Sequence, residues 1–209
     1  MKRKLLLVFV KNNKLGKVKT RLAKTIGAEG AFEIYKALLA ITEKAINEVD
    51  ADKSIYFSEF VDETSWSTNH KEVQFGIDLG AKMKNAFADG FEKEYDSIVL
   101  IGSDLPDITA TVINDAFNAL NQQDIVFGPA HDGGYYLIGM NKMHKFVFEN
   151  KPWSQPNLLT ITFNELAENN RSCALLATLN DIDTYDDLIA ANFYKNNTIL
   201  QNTISQLNE

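Results

Sequence analysis

The sequence predicts a single α/β domain in which helices flank a mostly parallel central sheet, with one late antiparallel strand. Short apolar runs alternate with amphipathic helical stretches along most of the chain, which is typical of a parallel sheet. One late apolar run follows its predecessor too closely for a helical crossover, and it therefore predicts the antiparallel strand. The length of 209 residues fits one domain. We expect this domain to occupy residues 1–194, with residues 195–209 as a tail or terminal helix.

The first half of the chain alternates strand and helix patterns. Residues 4–10 are continuously apolar, as expected of a strand buried on both faces. Apolar residues at three- and four-residue spacing predict a helix over residues 27–49. Residues 53–59 and 72–77 predict two short strands, and the polar stretch between them has room for a helical turn or two. An apolar stripe from Leu79 to Phe91 predicts the next helix.

The second half continues the alternation with one exception. A Gly-Gly turn and an apolar run (131–140) come soon after the preceding predicted strand, and this run is the expected antiparallel strand. The other predicted elements are strands at 97–102, 124–129 and 173–178, and helices beginning at Thr109, near 156 and near Tyr185.

Composition and charge exclude several classes of protein. The hydrophobic and charged fractions, 45% and 23%, are those of an ordinary globular protein. No stretch reaches the roughly 20 apolar residues of a membrane helix, and the apolar run at 5–10 ends at Lys11 without a signal-peptide cleavage site. The single cysteine, Cys173, cannot form an internal disulfide, and we expect a small buried side chain there. These observations predict a cytoplasmic protein.

The net charge of −7 is unevenly distributed. Residues 1–28 contain nine Lys and Arg residues and no acidic residue, although the whole chain has 21 cationic and 28 acidic residues. An acidic body with one basic segment suits a small anionic ligand bound locally. It lacks the broad positive field that a nucleic-acid surface needs.

The basic segment follows the first predicted strand. Gly16 permits a close backbone approach, and Lys17, Lys19 and Arg21 would share one side if the segment is extended. That side could hold a diphosphate. The alternative is a solvated basic loop before a helix capped by Thr25.

The segment "IVLIGSDLPDIT" (98–109) ends a buried strand in two carboxylates. Asp104, two residues beyond the strand, is positioned to hold a divalent cation, which prefers oxygen ligands. Asp107, with Pro106 setting the turn, fits the capping region of the helix that begins at Thr109. Helix capping is the alternative role for Asp104 as well.

Two further acidic segments follow predicted strands. Asp132 precedes Gly133 and Gly134, where a plain hairpin turn is the alternative to a site. Asp181 and Asp183 alternate, so they would share a side of an extended segment. Asp183 could supply a second acid for the same cation, or it could belong to an acidic helix start capped by Thr184.

Six segments in order resemble one bacterial family, the radical SAM/selenodomain-associated transferase 1 family, also described as the arsenosugar-biosynthesis glycosyltransferase family. The segments are "GKVKTRLA", "QFGIDLGAKM", "LIGSDLPDIT", "GPAHDGGYYLIG", "PWSQPNLL" and "DIDTYDDL", and they cover about residues 4–192. The resemblance implies the nucleotide-diphospho-sugar transferase (GT-A) fold. The family is also similar to 2-phospholactate guanylyltransferase and molybdenum-cofactor guanylyltransferase.

This resemblance also implies a set of site residues. The donor's base or phosphates would meet Gly16, Lys19 and Arg21, and we expect Lys17 of the same basic segment to contribute to this site. Magnesium or manganese would be held by Asp104 and Asp183. Asp132 would bind or deprotonate the acceptor, on a side lined by Gly133, Gly134, Trp153 and Ser154. The chain departs from the family pattern at Asn13, where a proline is usual, and at Lys82, where an arginine is common.

The expected function is therefore metal-dependent transfer from a nucleotide-activated donor to a small-molecule acceptor, with glycosyl transfer preferred. One alternative is a guanylyltransferase-like nucleotidyltransferase that releases pyrophosphate. Another is a nucleotide-binding module without catalysis. The sequence does not indicate the oligomeric state.

Overall fold

The computed structural model describes residues 2–207. Seven strands form one sheet: β1 (Lys4–Val10), β2 (Asp52–Phe57), β3 (His70–Val73), β4 (Ser97–Ile101), β5 (Ile125–Pro129), β6 (Tyr135–Met140) and β7 (Cys173–Leu175). Their order across the sheet is β3-β2-β1-β4-β6-β5-β7.

Within residues 2–207, seven helices and one short 3-10 helix (Lys145–Val147) complete the fold. They are α1 (Thr20–Asn47), α2 (Leu79–Glu92), α3 (Ala110–Ala119), α4 (Leu158–Glu168), α5 (Tyr185–Ala190), α6 (Asn192–Lys195) and α7 (Thr198–Leu207). None of the helices within residues 2–207 is both long and apolar enough to cross a bilayer.

The sheet is parallel except for β6, which pairs antiparallel with both β4 and β5. The connection from β5 to β6 comprises only residues 130–134, which is too short for a helical crossover. The predicted fold class and its late antiparallel strand are therefore confirmed.

Apolar layers cover both faces of the sheet, which explains the continuous apolar run of β1. Leu6 and Val8 pack on one face in a cluster with residues of α1 and α3. Leu5 and Leu7 pack on the other face with residues of α2 and α4. Successive strand residues point to opposite faces, so a strand covered on both sides has to be apolar throughout.

The largest departure from prediction is the start of α1. The helix begins at Thr20 rather than at residue 27, so Thr25 lies inside it and does not cap it. Non-helical dihedral angles at Ile26 and Gly27 kink the helix. The non-helical angles at Ile26 and Gly27 interrupt the helical spacing of the apolar residues, so the periodicity of residues 27–49 did not extend to the first turns.

Smaller corrections concern caps and boundaries. Thr109 caps α3, its hydroxyl accepting a hydrogen bond from the Val112 amide at 3.3 Å, so the capping role predicted for Asp107 is wrong. The strands predicted at 53–59 and 72–77 end earlier, at Phe57 and Val73. The polar stretch between them forms turns and bends without a helix, and Cys173 is half-buried rather than buried.

The C-terminal residues that the structure describes pack against α1. Leu200 and Ile204 of α7 are buried in one cluster with Leu22 and Leu38 of α1. The expected division between residues 194 and 195 falls within α6, and it stays a prediction.

Candidate active site

The segments that follow β1, β4 and β5 meet at one edge of the sheet and enclose an open cavity of about 360 Å³. The carboxyl ends of parallel strands are where α/β sheets bind ligands. Five of the predicted site residues line the cavity: Asp104, Asp132, Gly134, Trp153 and Ser154.

A buried ammonium group joins the two predicted metal ligands. The Lys19 Nζ atom lies 3.0 Å from Asp104 Oδ2 and 3.3 Å from Asp183 Oδ1. The Lys19 side chain is only 3% exposed, and Arg21 also contacts the Asp183 carboxylate. Two carboxylates thus converge on one cationic position beside the cavity.

Backbone geometry directs Lys19 to this position. Lys19 precedes α1 in the left-handed conformation, with φ 47° and ψ 44°. This conformation costs roughly 1–2 kcal/mol for a residue with a Cβ atom, so the contacts of its ammonium group offset a local strain. Such strain is typical of functional sites.

The predicted extended basic surface is not formed. Lys17 lies in a turn, its amide donating to the Lys14 carbonyl at 3.0 Å, and its side chain is exposed. Gly16 has a φ of +74° and lies in open space, since a Cβ at this residue would meet no atom within 4 Å. Lys17, Lys19 and Arg21 therefore do not share one side, and only the latter two reach Asp183.

Ile182 orients the two acids of the "DIDT" segment. Its amide donates to the Asp104 carbonyl at 3.1 Å, and its side chain is buried against residues of α1 and α5. Asp181 and Asp183 consequently face away from that cluster, and Asp181 lines the cavity. Thr184 caps α5 as predicted, in a capping box with Asp187.

Asp181 faces the cavity, although no role was predicted for it from the sequence. Burial above all, together with the negative charges of Asp183 and Asp132, raises its pKa to about 6. The sequence feature that pointed to Asp181 was its alternation with Asp183. That Asp181 rather than Asp183 lines the cavity depends on the tertiary structure.

Asp132 is held in a tight turn. Its Oδ1 atom accepts a hydrogen bond from the Gly134 amide at 2.9 Å, which orients the carboxylate beside the cavity. Gly133 has a φ of +88°, and a Cβ there would lie 2.0 Å from the Pro156 carbonyl oxygen. The turn therefore docks closely on the loop that carries Trp153 and Ser154.

The buried Lys151 side chain anchors the loop that carries Trp153 and Ser154. Its ammonium group has no exposed surface, donates to the Phe146 carbonyl at 2.7 Å and the Glu149 carbonyl at 3.2 Å, and pairs with Glu165. The loop is therefore anchored to α4 immediately beside Trp153.

Buried hydrogen bonds also hold the segment after β1. The Tyr35 hydroxyl accepts from the Lys11 amide at 2.9 Å and donates to the Lys11 carbonyl at 3.0 Å. The buried Asn12 side chain accepts from the Glu59 amide at 2.8 Å and donates to the Phe60 carbonyl at 2.8 Å. Neither Asn12 nor Tyr35 was predicted from sequence, since their partners lie on distant segments.

The donor set fits a divalent cation that binds together with a substrate. Within residues 2–207, no group of three or more His, Cys, Asp or Glu side chains is arranged to hold a metal ion. Asp104 and Asp183 nevertheless meet at one cationic position, which the Lys19 ammonium group marks. Mg²⁺ commonly binds through one or two carboxylates plus substrate phosphates and water. The two carboxylates are enough for that mode of binding.

Comparison with known families identifies the chain. The model of DUF2064, described as an uncharacterised protein conserved in bacteria, matches residues 42–155, more than half of the chain. The chain belongs to the DUF2064 family. No curated protein matches this DUF2064 chain.

Solved structures share the fold of this DUF2064 protein. A proposed nucleotide-diphospho-sugar transferase from Desulfovibrio desulfuricans is 29% identical, with a TM-score of 0.88 over 99% of this chain and 97% of that chain. The 4-diphosphocytidyl-2C-methyl-D-erythritol synthase from Anaerococcus prevotii is 12% identical, with a TM-score of 0.60 over 94% and 97% of the two chains. Rv0371c from Mycobacterium tuberculosis, solved in complex with manganese, is 12% identical, with a TM-score of 0.52 over 90% and 97%.

Proposed function

We propose that this DUF2064 protein transfers a sugar from a nucleotide-activated donor to a small-molecule acceptor. The observation that carries the proposal is the convergence of Asp104, Asp183 and the buried Lys19 at the rim of the cavity. Such an arrangement provides carboxylates for a metal ion and an ammonium group for a diphosphate. The likeness to the proposed nucleotide-diphospho-sugar transferase from Desulfovibrio desulfuricans supports the same class of donor.

The donor's phosphates would be held by this charged rim. Lys19 and Arg21 supply positive charge, and Asp104 and Asp183 would hold Mg²⁺ or Mn²⁺. When bound, the ion would neutralise the diphosphate and stabilise it as a leaving group. The manganese in the Rv0371c structure supports a divalent cation in this fold.

Asp132 is the proposed general base. Its carboxylate would accept the proton of an acceptor hydroxyl while the hydroxyl oxygen forms a bond to the anomeric carbon of the donor sugar. The bond between that carbon and the diphosphate oxygen breaks, and its electron pair leaves with the nucleoside diphosphate. The Gly134 amide orients the carboxylate for this step through its hydrogen bond to Asp132 Oδ1.

Product analysis tests the proposal. The protein is incubated with Mn²⁺, a panel of nucleotide sugars and a panel of neutral alcohols, and in parallel with nucleoside triphosphates. Release of a nucleoside diphosphate together with a glycosylated alcohol is the expected result. Release of pyrophosphate from a triphosphate would replace glycosyl transfer with nucleotidyl transfer. Nucleotide binding without turnover of any donor would indicate a binding module.

Two neighbouring variants locate the base. Asp132→Asn should lose at least about 100-fold in turnover while it still binds the nucleotide, since general bases contribute roughly 10²–10⁴-fold. His131→Asn is the matched control, because His131 is exposed and adjacent and the cavity lining does not include it. Equal turnover by the two variants would remove Asp132 from the mechanism.

The narrower family also belongs to the proposal. We place the chain in the arsenosugar-biosynthesis glycosyltransferase group because the six segments that resemble it include the acids at 104, 132 and 183. The product analysis described above would also identify the nucleotide and the sugar of the donor.

A further inference from the structure

The cavity lining combines two kinds of side chain. Asp104, Asp132 and Asp181 are acidic, whereas Leu79, Met83, Ile138, Trp153 and Leu158 are apolar. The charged rim with Lys19 and Arg21 adjoins the cavity through Asp104. A donor diphosphate at that rim leaves these five apolar residues, the apolar lining, for the second substrate.

The apolar lining is preformed. Met83 of α2 and Leu158 of α4 are 3% and 6% exposed, so both are fixed by packing. A Cβ at Gly80 would lie 2.3 Å from the Phe148 carbonyl oxygen and 2.5 Å from the Trp153 ring. The start of α2 therefore touches the Trp153 loop directly, and a side chain at residue 80 would push the two walls apart.

Charge at the cavity disfavours an anionic occupant. Lys11 is the only Lys or Arg among the lining residues within the described part of the chain, whereas three aspartates line the same cavity. A phosphate or carboxylate placed near Asp132 and Asp181 would meet like charges at short range, which costs free energy.

We propose that the acceptor is a small molecule without negative charge, with an apolar, ring-sized body and a hydroxyl group that meets Asp132. The body lies against Leu79, Met83 and Trp153. A cavity of about 360 Å³ is at the lower end of the range for small-molecule sites, which suits a small acceptor. This inference rests on the proposed function, since it names the acceptor class for that same site.

Ligand-observed NMR with a matched pair of probes tests the inference. Benzyl alcohol and benzyl phosphate have the same ring and differ in charge. Saturable binding of benzyl alcohol is expected, with benzyl phosphate binding at least tenfold more weakly. Bound Mn²⁺ and nucleoside diphosphate should leave the affinity for the alcohol unchanged or improve it, because the proposed diphosphate position is the charged rim with Lys19 and Arg21.

Two aliphatic-to-serine changes on one exposed segment locate the binding site. Leu79→Ser should weaken benzyl alcohol binding about fivefold. This is the effect expected when slightly more than roughly one methylene group is no longer buried by the ligand. Ile77→Ser is the control, because Ile77 is 99% exposed and is not among the lining residues, whereas Leu79 is 45% exposed and lines the cavity. Both side chains are exposed enough for the variants to fold.

Four results would overturn the inference. Three of them are benzyl phosphate binding as tightly as the alcohol, equal effects of the two serine variants, and displacement of the alcohol by the nucleotide. Displacement would make the apolar lining a base-binding site. The fourth is nucleotide binding without alcohol binding, which removes only the acceptor proposal. Alcohol binding without any nucleotide binding or turnover removes the proposed function instead.

Discussion

Substitution of Gly133 by alanine tests the geometry of the Asp132 turn, and Gly16 provides a control. Both glycines have positive φ, +88° at Gly133 and +74° at Gly16. Alanine in the left-handed region costs roughly 1–2 kcal/mol. The loss of unfolded-state entropy offsets about 0.4–1 kcal/mol of this strain. Gly16→Ala, whose new Cβ meets no atom within 4 Å, should therefore destabilise the protein by about 1 kcal/mol.

Gly133→Ala adds a steric term to the same strain. Its Cβ would lie 2.0 Å from the Pro156 carbonyl oxygen, and such contacts are essentially never shorter than 3.0 Å, so the turn or the loop must move by about 1 Å. Overpacking of this kind typically costs roughly 1–3 kcal/mol. We therefore expect the free energy of unfolding of Gly133→Ala to be about 1–3 kcal/mol lower than that of Gly16→Ala.

Urea denaturation measures both variants beside the parent protein. The expected result is a lower midpoint for Gly133→Ala at an unchanged denaturant slope, since the same surface is exposed on unfolding. Turnover should fall as well, because the displaced turn carries Asp132. Equal midpoints for the two alanine variants would refute the close docking of the turn on the Trp153 loop.

Three further predictions concern charges and caps. Because the folded pKa of Asp181 is raised from 3.8 to about 6, its folded state loses stability as the pH rises through that range. Asp181→Asn should therefore stabilise the metal-free protein at pH 8 by at most about 3 kcal/mol, at roughly 1.36 kcal/mol per pKa unit, and have little effect near pH 3. Equal effects in unfolding experiments at both pH values would refute the shift. Thr184→Ala removes the α5 capping box and should lower the unfolding free energy by about 1 kcal/mol in urea, and no change would argue against the cap. Lys151→Met leaves the Glu165 carboxylate unpaired and should destabilise by about 3–5 kcal/mol, part of which Lys151→Met/Glu165→Gln should recover. A double variant no more stable than the single one would contradict this pairing.

The strands and the antiparallel insertion could be predicted because each has a local signature. Residues 4–10 are apolar on both alternating faces, and helices cover both faces of β1. The short connection at 130–134 excludes a crossover by length alone. The placement of Asp104 follows equally from its position just beyond a buried strand.

The position of Lys19 could not be predicted from the sequence. Its ammonium group reaches Asp104 and Asp183 because a non-glycine residue adopts a left-handed conformation before α1. Residue type does not signal such a conformation, and its stabilising partners are more than 80 residues away in sequence. For the same reason the basic residues were expected on an extended segment rather than at a helix start.

The orientation of Asp181 was predicted in part, but its position at the cavity was not. Alternation placed Asp181 and Asp183 on one side of their segment, and burial of Ile182 gives that arrangement its physical cause. Which acid faces the cavity and which pairs with Arg21 depends on the docking of the segment against β4 and α1. That docking is a tertiary property.

Calorimetric titration of nucleoside diphosphates in the presence and absence of Mn²⁺ tests the central claim, that Asp104 forms a metal–diphosphate site with Lys19. The parent protein should bind at least one of UDP, GDP, ADP and CDP with an affinity that depends on Mn²⁺. Asp104→Asn should lose that dependence. Asp107→Asn, a change at the exposed acid three positions along the same segment, should keep it. Mn²⁺-dependent binding by Asp104→Asn equal to that of the parent would contradict the account.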